Sequence, residues 1–307
     1  MAVTSVRQWA LGALGPLDRW TLAYVALATV ALLASFEGDI IPDWGWLVLA
    51  HVLLVGLVLL ARRARAGGPV GRFLGDWYPM LLLAALYGEI GVLTLDAGLQ
   101  NDLAIQRLEA WVFRSQVSYR WIREMPVPWL SVVLHTCYLA YYAILYAAPF
   151  GLWFSGRRDA ARHTILGVMV TFYLCYAVFL FFPVAGPRYA FDLAHNAATD
   201  VGPARLAQWL LDRGDSWGAA FPSSHVAASV VATGMALRYW RPLGVALLLP
   251  TIGLLLAVVY GQFHYGVDAL SGLLVAGIML AVMQRSRAAE AAARASESVV
   301  GVLDAST

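Results

Sequence analysis

Three short stretches hold the residues with which this chain could do chemistry. In Tyr260-Gly261-Gln262-Phe263-His264-Tyr265-Gly266-Val267-Asp268, His264 and Asp268 stand four apart. On a helix that spacing places both on one face, so Asp268 can accept the N–H of one imidazole nitrogen while the other points outward. This is how a nucleophilic histidine is oriented. The plain alternative is an interfacial pair that only positions the helix, but an ionisable residue at the edge of an apolar helix is costly without a use. The second stretch is Phe221-Pro222-Ser223-Ser224-His225. Proline suits the first turn of a helix, free backbone amides there suit an anion such as phosphate, and Ser223 and Ser224 add hydroxyl donors just ahead of His225. The third, Gly186-Pro187-Arg188-Tyr189, supplies a planar guanidinium fork matched to phosphate oxygens. A single Arg beyond a helix end is more often a snorkelling anchor, so Arg188 alone is a weak signal.

The elements that must position these residues are membrane helices. With 61% hydrophobic and only 13% charged residues and a mean hydropathy of +0.68, the chain lies outside the usual globular range. Eight mostly apolar runs are long enough to span, near 20–36, 44–61, 76–96, 127–154, 163–183, 222–238, 243–260 and 265–284. The expected fold is all-α, a polytopic bundle of about eight transmembrane helices: an N-terminal two-helix addition (1–75), a six-helix core (76–284) and a flexible tail (285–307). The first run lacks a small-residue cleavage site behind it and reads as a retained helix.

Every cationic side chain is Arg, a usage that suggests a high-GC bacterium and hence its plasma membrane. Alternate connections carry the arginines: Arg62, Arg63, Arg65 and Arg72; Arg157, Arg158 and Arg162; Arg238 and Arg241; and the tail. The positive-inside rule makes these and both termini cytoplasmic. The acidic turn at Glu37 and Asp39, the segment 97–126, the loop 184–221 and the turn at Gln262 are then external. All three chemical stretches fall on that external side, under a topology assigned without them. Within 97–126, Leu103, Leu108, Trp111, Val112 and Ile122 recur at roughly helical spacing against Asp102, Arg107, Arg114 and Arg120, which predicts an amphipathic helix lying on the outer leaflet.

Other features narrow the reading. The net charge of +2, with its arginines in small clusters, makes no nucleic-acid surface. Cys137 and Cys175 lie inside apolar runs, which argues against a disulfide or a structural metal. His135, Tyr138 and Tyr142 share a helical face and are candidates for a substrate pocket, although such residues near an interface more often form a belt. His51, His163 and His195 have no partner spacing. Glu89 is unusual in lipid and calls for a partner inside the bundle that the sequence does not name.

Pro222-Ser223-Ser224-His225 and His264-Tyr265-Gly266-Val267-Asp268 resemble the second and third signatures of the type-2 phosphatidic acid phosphatase superfamily, P-S-G-H and S-R-x5-H-x3-D. The resemblance covers about 76–284. Ser224 replaces the Gly, Ala257-Val258 stands where Ser-Arg would open the third signature, and of the first signature, K-x6-R-P, only Arg188 survives, with Phe181 and Tyr189 at the Lys and Pro positions. The cationic trio is thus reduced to one. A phosphomonoester carries roughly 1.5 to 2 negative charges and a phosphodiester one, so a thinned cation set is better matched to a diester unless Arg107, Arg114, Arg120 or Arg123 restores the charge.

The same losses resemble the branch of inositol phosphorylceramide synthase and sphingomyelin synthase. That resemblance implies a lipid phosphotransferase moving a phospho-headgroup, phosphoinositol among the candidates, between membrane lipids. It further implies His264 as nucleophile, Asp268 as the holder of its ring, His225 as acid and then base, and Arg188, Ser223 and Ser224 as phosphate ligands, with no metal or other cofactor. The alternative in the same fold is a phosphatase for phosphatidate or a polyprenyl diphosphate. A non-catalytic lipid transporter would leave His225 and His264 dispensable. Oligomeric state is not encoded in any of these motifs.

Overall fold

In lipid the backbone must satisfy its own hydrogen bonds, and long apolar runs without alternation do so as helices. A computed structural model describes residues 14–34, 44–94 and 97–304, with side chains through 285. The helices are α1 (Pro16–Ala34), α2 (Trp44–Ala64), α3 (Pro69–Leu93), α4 (Gln100–Phe113), α5 (Val117–Glu124), α6 (Pro128–Leu139), α7 (Tyr141–Phe154), α8 (Arg158–Phe181), α9 (Pro187–Ala190), α10 (Gly202–Gly214), α11 (Ser224–Tyr239), α12 (Arg241–Tyr260) and α13 (Gly266–Asp304). Among the described residues there is no strand, only an isolated bridge between Val184 and Ala219. The expected acidic turn at Glu37 and Asp39 lies outside the described residues. The expected boundary after residue 75 falls inside α3, and α13 carries helical backbone to Asp304.

Six spans, not eight, are long and apolar enough to cross a membrane among the described residues: α1, α2, α6 with α7, α8, α12 and the first 20 residues of α13. The two runs that fall short do so for different reasons. α3 carries Arg72, Asp76 and Glu89, which lower its hydropathy. α11 has 16 residues, about 24 Å at 1.5 Å per residue against a hydrocarbon core of about 30 Å. It is also the most enclosed part of the bundle, packed among α7, α8, α12 and α13. Its buried Val226, Ala227, Ala228, Ser229, Val231 and Ala232 are small, which lets the surrounding helices approach.

The N-terminal pair, α1 and α2, packs on α3 and α8. Buried Asp18 accepts both Arg65 amino groups, at 2.6 and 2.7 Å, and the Tyr78 hydroxyl at 3.0 Å. Asp76 accepts from Arg162 Nε at 2.9 Å and Trp153 Nε1 at 3.2 Å. Glu89 meets His51, whose other nitrogen lies 2.8 Å from the Thr29 hydroxyl, so α1, α2 and α3 share one buried polar chain. The sequence left both Glu89 and His51 without a partner because the pair is 38 residues apart and on different helices.

Segment 97–126 is two helices rather than one. α4 ends at Arg114, which adopts a left-handed backbone (φ 55°), and α5 begins three residues on. Asp102, expected on the polar face of the amphipathic helix, is fully buried, and so is Glu109, two turns further along α4. They point into the protein and organise the site.

Candidate active site

The three chemical stretches meet at one end of the bundle, where α8 and α12 end and α11 and α13 begin. Backbone bonds fasten them: Ser223 N–H donates to the Asp268 carbonyl at 3.0 Å, Val184 N–H to Gly218 at 3.1 Å and Ala220 N–H to Val184 at 2.9 Å. Gly272 makes the first join possible. A Cβ there would stand 2.5 Å from the Ser223 carbonyl, so only glycine lets α13 lie this close to the start of α11.

The imidazoles of His225 and His264 lie with ring centroids 5.6 Å apart at 60°. His264 Nδ1 is 2.9 Å from the Ala220 carbonyl and 3.6 Å from Asp268 Oδ2. The hydrogen bond that orients the ring is therefore the one to Ala220, and it holds the proton on Nδ1 and leaves Nε2 as the free lone pair. This corrects the expectation that Asp268 accepts that N–H. Asp268 Oδ2 is instead taken at 2.8 Å by the Tyr265 amide, as a cap on α13, from where the carboxyl still faces the imidazole. The other oxygen, Oδ1, is buried and has no hydrogen-bond partner among the described residues.

Ser223 is also not where the sequence suggested. Fully buried, it is the N-cap of α11, its hydroxyl accepting from the Val226 amide at 3.4 Å, and Pro222 lies outside the helix. Ser224 is buried as well, but it reaches the wall of a cavity beside His225. His225 lies against Tyr141 and Tyr138, with centroids 4.5 and 5.7 Å away, and its Nδ1 is buried without a hydrogen-bond partner among the described residues.

Arg188, His225 and His264 line a single small compartment of about 20 Å³, closed by Tyr87, Tyr138, Asp215 and Phe263. Arg188 Nη2 donates to Asp212, and Nε is 4.0 Å from Asp215 Oδ2. Its Nε and Nη1 are buried without a hydrogen-bond partner among the described residues. None of Arg107, Arg114, Arg120 or Arg123 lines this compartment. Arg120 pairs with Glu124, and Arg123 holds Gln262 at 2.9 Å, bracing the turn before His264.

The compartment opens beside a cavity of about 690 Å³ lined by α3, α7 and α8 and by Tyr87, Tyr138, Tyr141, Tyr142, Tyr176 and His225. Tyr138 and Tyr142, two of the three residues read as a shared helical face, both line this cavity. His135 does not: it lines a separate, more polar cavity of about 270 Å³ with His195, Asp200 and Asp212. The common face fails there because α6 ends at Leu139 and α7 starts anew at Tyr141.

A family model described as PAP2 superfamily matches residues 103–282. The chain belongs to the PAP2 superfamily. No curated protein and no solved structure matches it. Membership in the PAP2 superfamily suggests phosphatase- or phosphotransferase-type chemistry on a lipid phosphoester, and the apolar helices suit a membrane-embedded enzyme of this kind. Where the superfamily pattern has its Ser-Arg, this PAP2 member has Ala257 and Val258, both buried and uncharged.

Sequence reading missed the supports. Asp102 accepts the amides of Ala185 and Gly186 at 2.9 and 2.8 Å and the Tyr265 hydroxyl at 3.0 Å, so one carboxylate joins the Arg188 loop to the residue after His264. Glu109 accepts the Gly266 amide at 3.0 Å, at the positive end of α13, and the Ser118 amide and hydroxyl at 3.0 and 2.9 Å. Burial pushes both carboxyls above their ordinary range, against the pull of these donors. The signal was the spacing: Asp102, Ile105 and Glu109 recur at helical intervals, a mixed face that only makes sense turned inward.

Proposed function

We propose that this protein moves a phospho-headgroup, phosphoinositol among the candidates, from one membrane lipid to another through a covalent intermediate on His264, at the extracytoplasmic face. The observation that carries this reading is the compartment in which two histidines and a guanidinium with unpaired N–H groups converge beside a large tyrosine-lined cavity. The cavity suits a lipid body, and the unpaired donors suit phosphate oxygens.

His264 Nε2 attacks phosphorus, and the bond to the departing lipid alcohol breaks as that oxygen takes a proton from His225. Nδ1 keeps its proton and donates to Ala220, while the Asp268 charge stabilises the imidazolium that develops. Arg188 holds the non-bridging oxygens as charge builds on them. An acceptor hydroxyl then gives its proton to His225 and attacks phosphorus, releasing His264. Water in place of that alcohol would make the same site a hydrolase, releasing inorganic phosphate where the donor is a monoester or diphosphate.

The test is to incubate purified protein with phosphatidylinositol labelled in its phosphate, with and without diacylglycerol-like or ceramide-like acceptors. Label in a new lipid, only with acceptor and only with His264 intact, is the expected result. Inorganic phosphate released from phosphatidate or a polyprenyl diphosphate in parallel, with no transfer, would overturn it in favour of hydrolysis.

A further inference from the structure

We propose that Asp212 and Asp215 select the substrate by charge, admitting phosphoesters with one negative charge and disfavouring dianionic phosphomonoesters. This deepens the functional reading above and rests on its placement of phosphate at Arg188. Arg188 is the cation lining the compartment of the two histidines. Two carboxylates share it: Asp212 accepts from Nη2, and Asp215 Oδ2 stands 4.0 Å from Nε. Asp215 is held there by the Tyr87 hydroxyl at 2.9 Å, the Tyr189 hydroxyl at 3.1 Å and the Ser216 amide at 3.0 Å. Asp215 and Tyr87 both line the compartment, so its acidic wall is built in. Arg213, which lines the adjoining large cavity, is turned onto Trp209, with its guanidinium 4.3 Å from the ring centre and Nη1 bonded to the Trp209 carbonyl at 3.1 Å.

Two carboxylates against one guanidinium leave the fixed charge around Arg188 net negative before any substrate enters. A monoanionic phosphodiester can replace Asp212 on Arg188 charge for charge. A dianion brings a second charge beside the fixed carboxylate of Asp215, with the one guanidinium already matched by the first. Selection against the dianion thus comes from the repulsive partner as much as from the attractive one.

The experiment is equilibrium binding, independent of turnover, of diphenyl phosphate and phenyl phosphate to the purified full-length protein near pH 8, where the latter is dianionic. Wild type should bind the monoanion more tightly. Asp212→Asn should raise affinity for the dianion by about tenfold more than for the monoanion, and Asp212→Glu should restore the wild-type ratio. The Asp212 side chain is 52% exposed, so these replacements leave the core packing alone. An unchanged ratio, or equal loss of both ligands, would overturn the proposal. Whether product label ends in a lipid or in water is scored separately, so failure of the transferase reading would leave this ratio to be decided on its own.

Discussion

At the scale of single residues the site separates attack from proton transfer. His264 is held through Nδ1 by a backbone carbonyl, which fixes its tautomer, whereas His225 keeps a buried nitrogen without a hydrogen-bond partner among the described residues. With a poor leaving group His225→Ala should lower kcat by about 10² to 10⁴, the usual range for a general acid, yet a donor with a very good leaving group should still load His264. Failure to load with that donor in a rapid-quench experiment would show that His225 does more than donate a proton. Arg188→Ala should cost about 10² to 10³ in kcat, and Arg188→Lys should recover only part of it, because an ammonium lacks the fork. The types and spacing of His225, His264 and Asp268 were plain in the sequence. What hid was the partner of His264, since a main-chain carbonyl 44 residues away leaves no side-chain signature. The carboxylates on Arg188 hid for a similar reason, lying 24 and 27 positions downstream on and after another helix.

At the scale of elements, α4 is the brace of the site. Its two buried carboxylates grip the loop before Arg188 and the start of α13. Asp102→Ala would strand two backbone amides and a phenol, and should destabilise the protein by about 3 kcal/mol, with kcat falling alongside; thermal unfolding in detergent and turnover would report the two effects. Unchanged turnover would mean that the Arg188 loop needs no such tie. Gly272→Ala should lower kcat by about tenfold or more by forcing α13 away from Ser223, since an ångström of misplacement is enough to do so. The apolar periods were enough to predict most of the helices, and the Pro-Ser-Ser start of α11 was readable to within a residue or two. The break in 97–126 was not, because a left-handed turn at an arginine, Arg114, is an unusual choice that propensity does not anticipate.

At the scale of the whole molecule, the short α11 is packed among α7, α8, α12 and α13 and largely enclosed by them. That explains why counting apolar runs gave eight spans where length and hydropathy support six: an enclosed helix needs neither the length nor the polarity profile of a lipid-facing one. The N-terminal helices are tied to this bundle by Asp18 and Arg65 and by Glu89 and His51. Asp18→Ala should therefore lower stability by about 2 kcal/mol while leaving KM for the lipid unchanged, measured by unfolding and steady-state kinetics on the same preparation. The central claim is that chemistry passes through His264. The most direct measurement is mass spectrometry of protein quenched during turnover of phosphate-labelled donor. A labile adduct on the peptide containing His264, absent from His264→Ala, is the predicted result; steady turnover with no adduct, or with His264→Ala still active, would contradict the account.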